Sequence, residues 1–589
     1  MAADPRKSSR ARDPLADPLR RVLARFRSAF LAVGFFGIVA NLLMLTLPFY
    51  MLNLFSRVMT SRSVETLVML TIAAVFGLIL YGMVDAVRSR ILVRVGSALD
   101  QGLAGDILGT TLRRAARGGA GASAQQLRDL AELRGFVAGP SVTALFDAPF
   151  VPLFLWVIYL MHPALATVAL IGSVFLLGLA FANERLTRAP TVEASASSSR
   201  MYGVAEGLVR NADAVEAMGM RGTVVRDWQG IQSQNSALTV RAAERSANMT
   251  SVAKIARFLI QIALFAIGAY YFLDGSLAPG AMIAAGMLVG QALRPVEMSI
   301  QTWRALVSAR IAYGRLREGM LQAEATVEKL ALPAPKGRLT LERLVALPPG
   351  SERPILKGVS FDLQPGEFLG VIGPSGAGKT TLARAILGLM PLSSGTVRLD
   401  GADIRQWESD LLGPFLGYLP QDVQLLHGTV ADNIARMTRG AAPDTVVAAA
   451  QLAGCHELIL RLPQGYDTDL SEGGVRLSAG QRQHIGLARA LYGGPTLVVL
   501  DEPNANLDGS GEQALMRALA AARKAGSTLV VISHRPGILE GADKILVLRD
   551  GTVEMFGPRA EVFARLGRGG AQPEAGRLPY PQVSAVLGR

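Results

Sequence analysis

Long apolar runs separated by polar stretches occupy the first half of the chain, and the pattern changes in the second half. A helix needs about 20 mostly apolar residues to cross a hydrocarbon core. Six runs come near that length: Phe30 to Met51, Leu67 to Val84, Leu145 to Met161, Ala164 to Ala182, Ile255 to Leu273 and Ala278 to Leu293. They fall into three pairs. Within a pair the link is short: Met59-Thr60-Ser61-Arg62, His162-Pro163 or Asp274-Gly275-Ser276. Between pairs the links are long and rich in arginine, with Arg88, Arg90, Arg94, Arg113, Arg114 and Arg117 in the first and Arg185, Arg188, Arg210 and Arg221 in the second. Arginine stays on the cytoplasmic side of a membrane. The spacing therefore predicts six spanning helices, with the N-terminus, both long links and everything after the sixth run in the cytoplasm. Within the long links, segments such as 97–103 and Met201 to Met218 keep apolar residues at helical intervals, predicting that the spanning helices continue beyond the membrane.

From Leu339 onward, short β-rich runs alternate with helical stretches, the pattern of an α/β domain with a largely parallel sheet. The expected organisation is a basic cytoplasmic segment at 1–27, a six-helix transmembrane domain with long cytoplasmic extensions at 28–325, a linker at 326–338, an α/β domain at 339–566 and a tail at 567–589. The linker is marked by Leu332-Pro333-Ala334-Pro335-Lys336-Gly337. The Gly, Pro and Arg content of the tail predicts disorder.

Composition agrees with a chain partly in lipid. Of its 589 residues, 50% are hydrophobic and 18% charged, against about 25% charged in soluble domains; mean hydropathy is +0.32. The net charge of +13 does not mark a nucleic-acid binder, because no basic helix or aromatic platform accompanies it. The excess lies instead in the first 30 residues and beside the apolar runs, as for residues meeting anionic lipid. A secretory signal is disfavoured because the first apolar run is too long and lacks a small-residue cleavage site. Asp4, Asp13 and Asp17 interrupt the basic stretch and argue against a transit peptide. Cys455, the single cysteine, reads as a small buried hydrophobe.

Two segments carry chemistry. Gly373-Pro374-Ser375-Gly376-Ala377-Gly378-Lys379-Thr380 follows a strand-like run, Leu369 to Ile372, and opens a helical stretch, Leu382 to Met390. Strand, glycine loop and helix in that order make a phosphate-binding P-loop. Glycines let backbone N–H groups approach phosphate oxygens at a helix N-terminus. Lys379 would contact the β- and γ-phosphates, Thr380 would ligate Mg²⁺, and Thr381 completes the expected ATP-binding set. The second segment, Thr496-Leu497-Val498-Val499-Leu500-Asp501-Glu502-Pro503, reads as a buried parallel strand that delivers carboxylates to the ligand-binding edge of a sheet. Asp501 would hold Mg²⁺ and Glu502 would polarise the attacking water. The plainer reading, two acids in a solvated turn, loses weight beside a P-loop.

Leu477-Ser478-Ala479-Gly480-Gln481 resembles the signature sequence of ABC ATPases, differing from its commonest form at Ala479. Gln421, in Tyr418-Leu419-Pro420-Gln421-Asp422, is similar to the Q-loop residue; Asn504 to Asp508 is similar to the D-loop, and His534 to the switch histidine. The resemblance implies an all-α six-helix transmembrane domain followed by an α/β P-loop ABC nucleotide-binding domain. It also implies a head-to-tail dimer with ATP between the P-loop of one copy and Ser478, Gly480 and Gln481 of the other. Asp508 would communicate across that dimer; Gln421 and His534 would join Glu502 in catalysis, and Gln421 would also reach the metal. One P-loop and one signature per chain imply a homodimer using ATP and Mg²⁺. One departure is that Val345-Ala346-Leu347-Pro348-Pro349-Gly350 has no aromatic residue where the family usually stacks adenine.

The membrane half carries a second resemblance. Residues 41–52, residues 57–67 and Phe146-Asp147-Ala148-Pro149-Phe150-Val151-Pro152 look like the corresponding parts of bacterial type I secretion permease/ATPases of the PrtD kind. That family exports unfolded proteins with a C-terminal signal through the inner membrane, together with a periplasmic membrane-fusion adaptor and an outer-membrane channel. The absence of a peptidase-sized region before the first run argues against the branch that cleaves leader peptides. An exporter of lipids or small amphipathic molecules is the alternative within the class; an ATP-gated channel or membrane sensor is the alternative outside it, with Glu502 and His534 counting against it. Asn41, Gln261 and Gln291 either line a path or hydrogen-bond between helices, and Gly286 with Gly290 reads as helix packing. No substrate-binding residue is assigned.

Overall fold

The computed structural model describes residues 18–118, 125–324, 332–348, 351, 353–471 and 474–568. The expected disorder of the tail from 569, most of the basic segment and linker residues 326–331 lie outside these. The chain divides into two compact units.

The first unit is helical. Its longest helices are Val64–Ala116, Pro163–Arg210, Arg221–Leu273 and Pro279–Glu324, of 53, 48, 53 and 46 residues. At 1.5 Å per residue the longest run about 80 Å, far more than a hydrocarbon core of about 30 Å. The first and third apolar runs are interrupted instead. Arg27–Leu43 and Thr46–Asn53 are followed by a π-turn at Leu54–Val58. Pro140–Asp147 passes through a 3₁₀ turn at Ala148–Phe150, where Pro149 sits, into Val151–Met161. The short links turn sharply: Arg62 takes a left-handed conformation, and His162 is extended with its Nδ1 accepting from Ala164 N at the start of the next helix.

Among the described residues, five helical stretches are long and apolar enough to cross a membrane: Arg27–Ser61, Val64–Ala116, Pro140–Met161, Pro163–Arg210 and Arg221–Leu273. The sixth expected run falls in Pro279–Glu324 and does not join them. Arg294 and Pro295 end its apolar stretch, and much of the rest is alanine and glycine. Most of those small residues serve packing, but Gly290, expected to pack with Gly286, has nothing within 4 Å of where a side-chain carbon would stand. Ala281, Ala284, Ala285, Leu288, Val289, Ala292 and Leu293 are buried, and a side-chain carbon added at Gly286 would lie 2.4 Å from Phe265 Cζ. Large apolar side chains such as Val68, Met69, Ile72, Val75, Phe76 and Ile79 face outward on their helix, which lipid tolerates and water does not.

Arg88, read from sequence as one of the cytoplasmic-side arginines of the first long link, is a buried member of an ion pair. It is 2% exposed and makes a paired contact with Asp147, Nη1 to Oδ1 at 2.9 Å and Nη2 to Oδ2 at 3.0 Å. Asn41 Nδ2 donates to Asp147 Oδ1 at 3.0 Å and to Gly37 O at 2.8 Å, so its role here is interhelical bonding. The pair sits on a cavity of about 340 Å³ that also touches Gln291 and Arg294. Removing one partner of a buried ion pair strands the other charge, at about 3–5 kcal/mol. Asp147→Ala should therefore lower the unfolding midpoint of the lipid-embedded protein, whereas Asp147→Ala combined with Arg88→Met should recover most of the loss; differential scanning fluorimetry reads both.

The second unit carries two sheets. An antiparallel sheet is ordered Leu356–Leu363, Leu339–Ala346, Leu392–Leu399, Ala402–Asp403. The main sheet is ordered Thr552–Pro558, Lys544–Arg549, Phe368–Ile372, Thr528–Ile532, Leu497–Asp501, Leu416–Leu419. All its pairings are parallel except the edge strand Thr552–Pro558. Leu497–Asp501 and Thr528–Ile532 are buried along their whole length, as expected for strands covered on both faces. Register sets Ile532 beside both Val371 and Asp501, and Leu419 beside Leu500. Four strands thus end level at one edge.

Candidate ATP site

Every chain segment that leaves this edge carries one of the expected groups. After Phe368–Ile372 the loop 373–378 leads into helix Lys379–Ile386. Gly373 has φ +155, and a side-chain carbon there would lie 2.1 Å from Leu548 O; Gly378 has φ +98. Glycine is what lets the loop close so tightly. Pro374, Ser375 and Gly376 face solvent, Ala377 is buried, and Thr380 and Thr381 lie in the first helical turn. Among the described residues, the N–H groups of Gly376, Gly378, Lys379 and Thr380 have no acceptor. Unpaired donors at a helix start form a ready anion cradle.

Lys379 is folded over this cradle, Nζ donating to Gly373 O at 2.8 Å and Pro374 O at 3.0 Å. Burial pushes its ammonium below the ordinary lysine value, with Glu502 and Asp501 acting against that shift. Asp501 ends its strand 1% exposed and accepts from the Thr380 hydroxyl. Burial raises its carboxyl above the ordinary value and Glu502 adds to this, while the Thr380 bond and Lys379 oppose it. Asp501 Oδ2 is buried with no hydrogen-bond partner. A stranded carboxylate oxygen beside a threonine hydroxyl suits a hard cation such as Mg²⁺, which takes oxygen ligands.

Glu502 follows with φ +50, a conformation a non-glycine residue rarely adopts. Its N–H donates to Ile532 O at 3.0 Å, tying the turn to the next strand. Strained backbone of this kind gathers at functional sites. Glu502 Oε2 accepts from Gln421 Nε2 at 3.1 Å, and Oε1 lies 3.5 Å from His534 Nε2. Three residues far apart in sequence thus meet around one carboxylate. Ser533 Oγ donates to Asn504 Oδ1 at 3.1 Å, and Gln483 Nε2 to Pro503 O at 3.1 Å. Sequence reasoning missed both braces; no local pattern marks either.

The signature residues lie elsewhere on the unit. Ser478 caps helix Ala479–Leu491, its hydroxyl accepting from Gln481 N while Gln481 Oε1 accepts from Ser478 N. The side chain of Gln481 is thereby engaged within its own chain, and the Ser-x-x-Gln spacing of a capping box was the sequence signal for it. Gly480 packs close to the loop that follows Glu502, since a side-chain carbon there would lie 2.8 Å from Asn506 O. Neither Ser478 nor Gln481 hydrogen-bonds to the P-loop. Asp508 caps helix Gly509–Lys524, accepting from Gly511 N at 2.7 Å and from the Ser510 hydroxyl at 2.8 Å. The Gly511 N–H and the Ser510 hydroxyl hold its carboxyl below the ordinary range. Cys455 is buried, and burial pushes its thiol up to about 12. Val345 and Ala346 end the strand Leu339–Ala346, while Pro349 and Gly350 lie outside the described residues.

Comparison with known proteins matches both halves. A family model described as ABC transporter matches residues 356–505, and one described as ABC transporter transmembrane region matches residues 30–296. The type I secretion system ATP-binding protein PrsD of Rhizobium meliloti (strain 1021) is 41% identical over 94% of this chain and 95% of its own length. The cyclolysin secretion/processing ATP-binding protein CyaB of Bordetella pertussis is 31% identical, over 92% of this chain and 77% of its own. The alpha-hemolysin translocation ATP-binding protein HlyB of Escherichia coli is 27% identical over the same shares. Among solved structures, a bacterial Atm1-family ABC exporter with ATP bound has the same fold, with TM-score 0.79 and 22% identity over 95% of this chain and 100% of that one.

Proposed function

This chain belongs to the ABC transporter family, and from that premise we propose that it is the inner-membrane ATPase of a type I secretion system, driving unfolded proteins with a C-terminal signal out of a bacterium. It is a multi-pass membrane protein whose nucleotide-binding domain couples ATP hydrolysis to transport. The observation that carries the cargo reading is the 41% identity to PrsD, which runs through the membrane half as well as the ATPase half. In this reading the N-terminus and ATPase domain are cytoplasmic, and a periplasmic adaptor and outer-membrane channel complete the route.

The site residues take the following roles in that reading. Gly373 to Thr381 receive the phosphates, and Lys379 exchanges its two loop carbonyls for phosphate oxygens. Thr380, Asp501 and Gln421 would hold Mg²⁺, which neutralises charge on the phosphates. Glu502 orients and deprotonates water, with Gln421 and His534 fixing both its oxygens. Ser478 and Gly480 present an outward helix N-terminus suited to the ATP of a second copy. Asp508, at the start of the helix after the Glu502 loop, transmits the state of one site to the other. Two complete sites therefore require two chains.

Deleting the gene and comparing secreted proteins by mass spectrometry tests the cargo. One or a few extracellular proteins should disappear and accumulate in the cell. An unchanged secretome with altered envelope lipids would replace protein by lipid as the cargo.

A further inference from the structure

A polar cavity of about 220 Å³ opens in the first unit, well away from the apolar runs. It is bounded by helices Gln125–Ala138, Pro163–Arg210, Arg221–Leu273 and Pro279–Glu324. The part contributed by Pro163–Arg210, from Thr191 to Tyr202, lies roughly 15–30 Å along the helix beyond Ala182, where the fourth apolar run ends. That places it outside the hydrocarbon and the headgroup layer.

Two arginines line it, Arg128 and Arg304. Among the described residues neither has a carboxylate within ion-pair distance. Arg128 is instead held in place by its stack over the Tyr202 ring, at 4.9 Å. Three of the lining hydroxyls, those of Ser195, Thr239 and Ser308, have no hydrogen-bond partner among the described residues. Others are already engaged: Ser198 donates to Asn235 Oδ1 at 3.0 Å, and Thr191 and Ser199 bond back to their own helix. Unpaired guanidinium groups and free hydroxyls converging on a cavity form a donor set for an oxyanion. The one acid in the lining, Glu132, is pushed towards its neutral form, first by burial and then by Asp129. Asp129 itself is taken up by Arg315, at 2.6 and 2.8 Å. In its neutral form such a carboxyl offers one more O–H donor to an anion in the cavity.

We infer that the cavity around Arg128 and Arg304 is a binding site for carboxylate groups of the polypeptide in transit. This rests on the proposed secretion function. It gives the exporter a hold on acidic positions of an extended chain before that chain enters the membrane. Charge-assisted bonds to two guanidinium groups supply the affinity, and the stack of Arg128 over Tyr202 reduces the freedom that guanidinium loses on binding.

The test uses the full chain in lipid nanodiscs and two labelled, unstructured Gly-Ser peptides, one carrying glutamates and the other glutamines at the same positions. Fluorescence anisotropy should show the glutamate peptide bound at least about tenfold more tightly. Arg128→Ala with Arg304→Ala should erase that preference and leave basal ATP hydrolysis unchanged, whereas the double lysine variant should retain part of it. Equal binding of the two peptides, or a preference that survives the double alanine variant, would overturn the inference. So would inorganic phosphate displacing the glutamate peptide at micromolar concentration, which would mark a small-anion pocket. The secretome comparison stands apart from these outcomes. Secretion lost on gene deletion without peptide discrimination rejects the carboxylate site alone.

Discussion

Purified Glu502→Gln protein is expected to bind ATP like the wild type but to hydrolyse it about 10²–10⁴ times more slowly, the usual worth of a positioned general base. The geometry explains why so small a change should have so large an effect. The amide keeps the volume and the place of the carboxylate, so the left-handed turn at Glu502 and the bond from its N–H to Ile532 O should persist. What is lost is the ability to accept the proton of the attacking water. The bond from Gln421 Nε2 to Oε2 can survive if the new amide presents its oxygen there. Binding without turnover should leave two chains closed around ATP, seen as a compact, long-lived species by size-exclusion chromatography with nucleotide and crosslinking. Phosphate release at the wild-type rate would remove Glu502 from the base role and shift attention to His534, 3.5 Å away.

Lys379→Ala should act one step earlier. In the wild type, Nζ bonds the loop carbonyls of Gly373 and Pro374, and burial already weakens the hold of the ammonium on its proton. The second effect raises the benefit of meeting a polyphosphate, while the two carbonyl bonds are exchanged for bonds to it. Without the lysine, phosphate charge faces Asp501 and Glu502 uncompensated. A buried charge left without its partner costs several kcal/mol, so ATP affinity should fall by two orders of magnitude or more and turnover should become undetectable. Anisotropy with a fluorescent ATP analogue and phosphate release measure the two effects. Lys379→Ala with normal affinity and turnover would dismiss the P-loop assignment. The two variants also separate from each other: the first binds without hydrolysis, and the second does neither.

Much of the ATP site was legible in the sequence because its chemistry is local. Glycine spacing defines a loop that only glycine can close, and an apolar run ending in acids defines a buried strand with its carboxylates at the sheet edge. The order of motifs between Leu339 and Arg565 supplied the rest of the candidate set. What stayed hidden depends on partners distant in the chain. Gln421, Glu502 and His534 each follow a different strand, and only the parallel register with Leu500, Val531 and Ile532 brings them together. Gln481 looked like a nucleotide contact from its place in the signature, although its spacing from Ser478 also spelled the capping box that engages it.

The membrane half divides along the same line. Apolar length and arginine placement were enough for a multi-pass helical domain, because the cost of unpaired backbone or charge in lipid acts on each segment separately. Two features required the folded chain. The last run, Ala278 to Leu293, is shaped for helix packing more than for lipid, and its small residues acquire meaning only with Phe265 and the other neighbours in place. Arg88 carries the residue type of a topology marker, yet Asp147, 59 positions away, turns it into a buried structural charge. Sequence by itself determined that the first half carries several helices of membrane-spanning length and that one glycine loop has the form of a phosphate cradle, since length, hydropathy and glycine geometry are properties of short stretches. Tertiary structure alone decided which charges are paired, which helix is packed inward and which side chains converge on one carboxylate. Those outcomes are set by distances between residues that the chain brings together only when it folds.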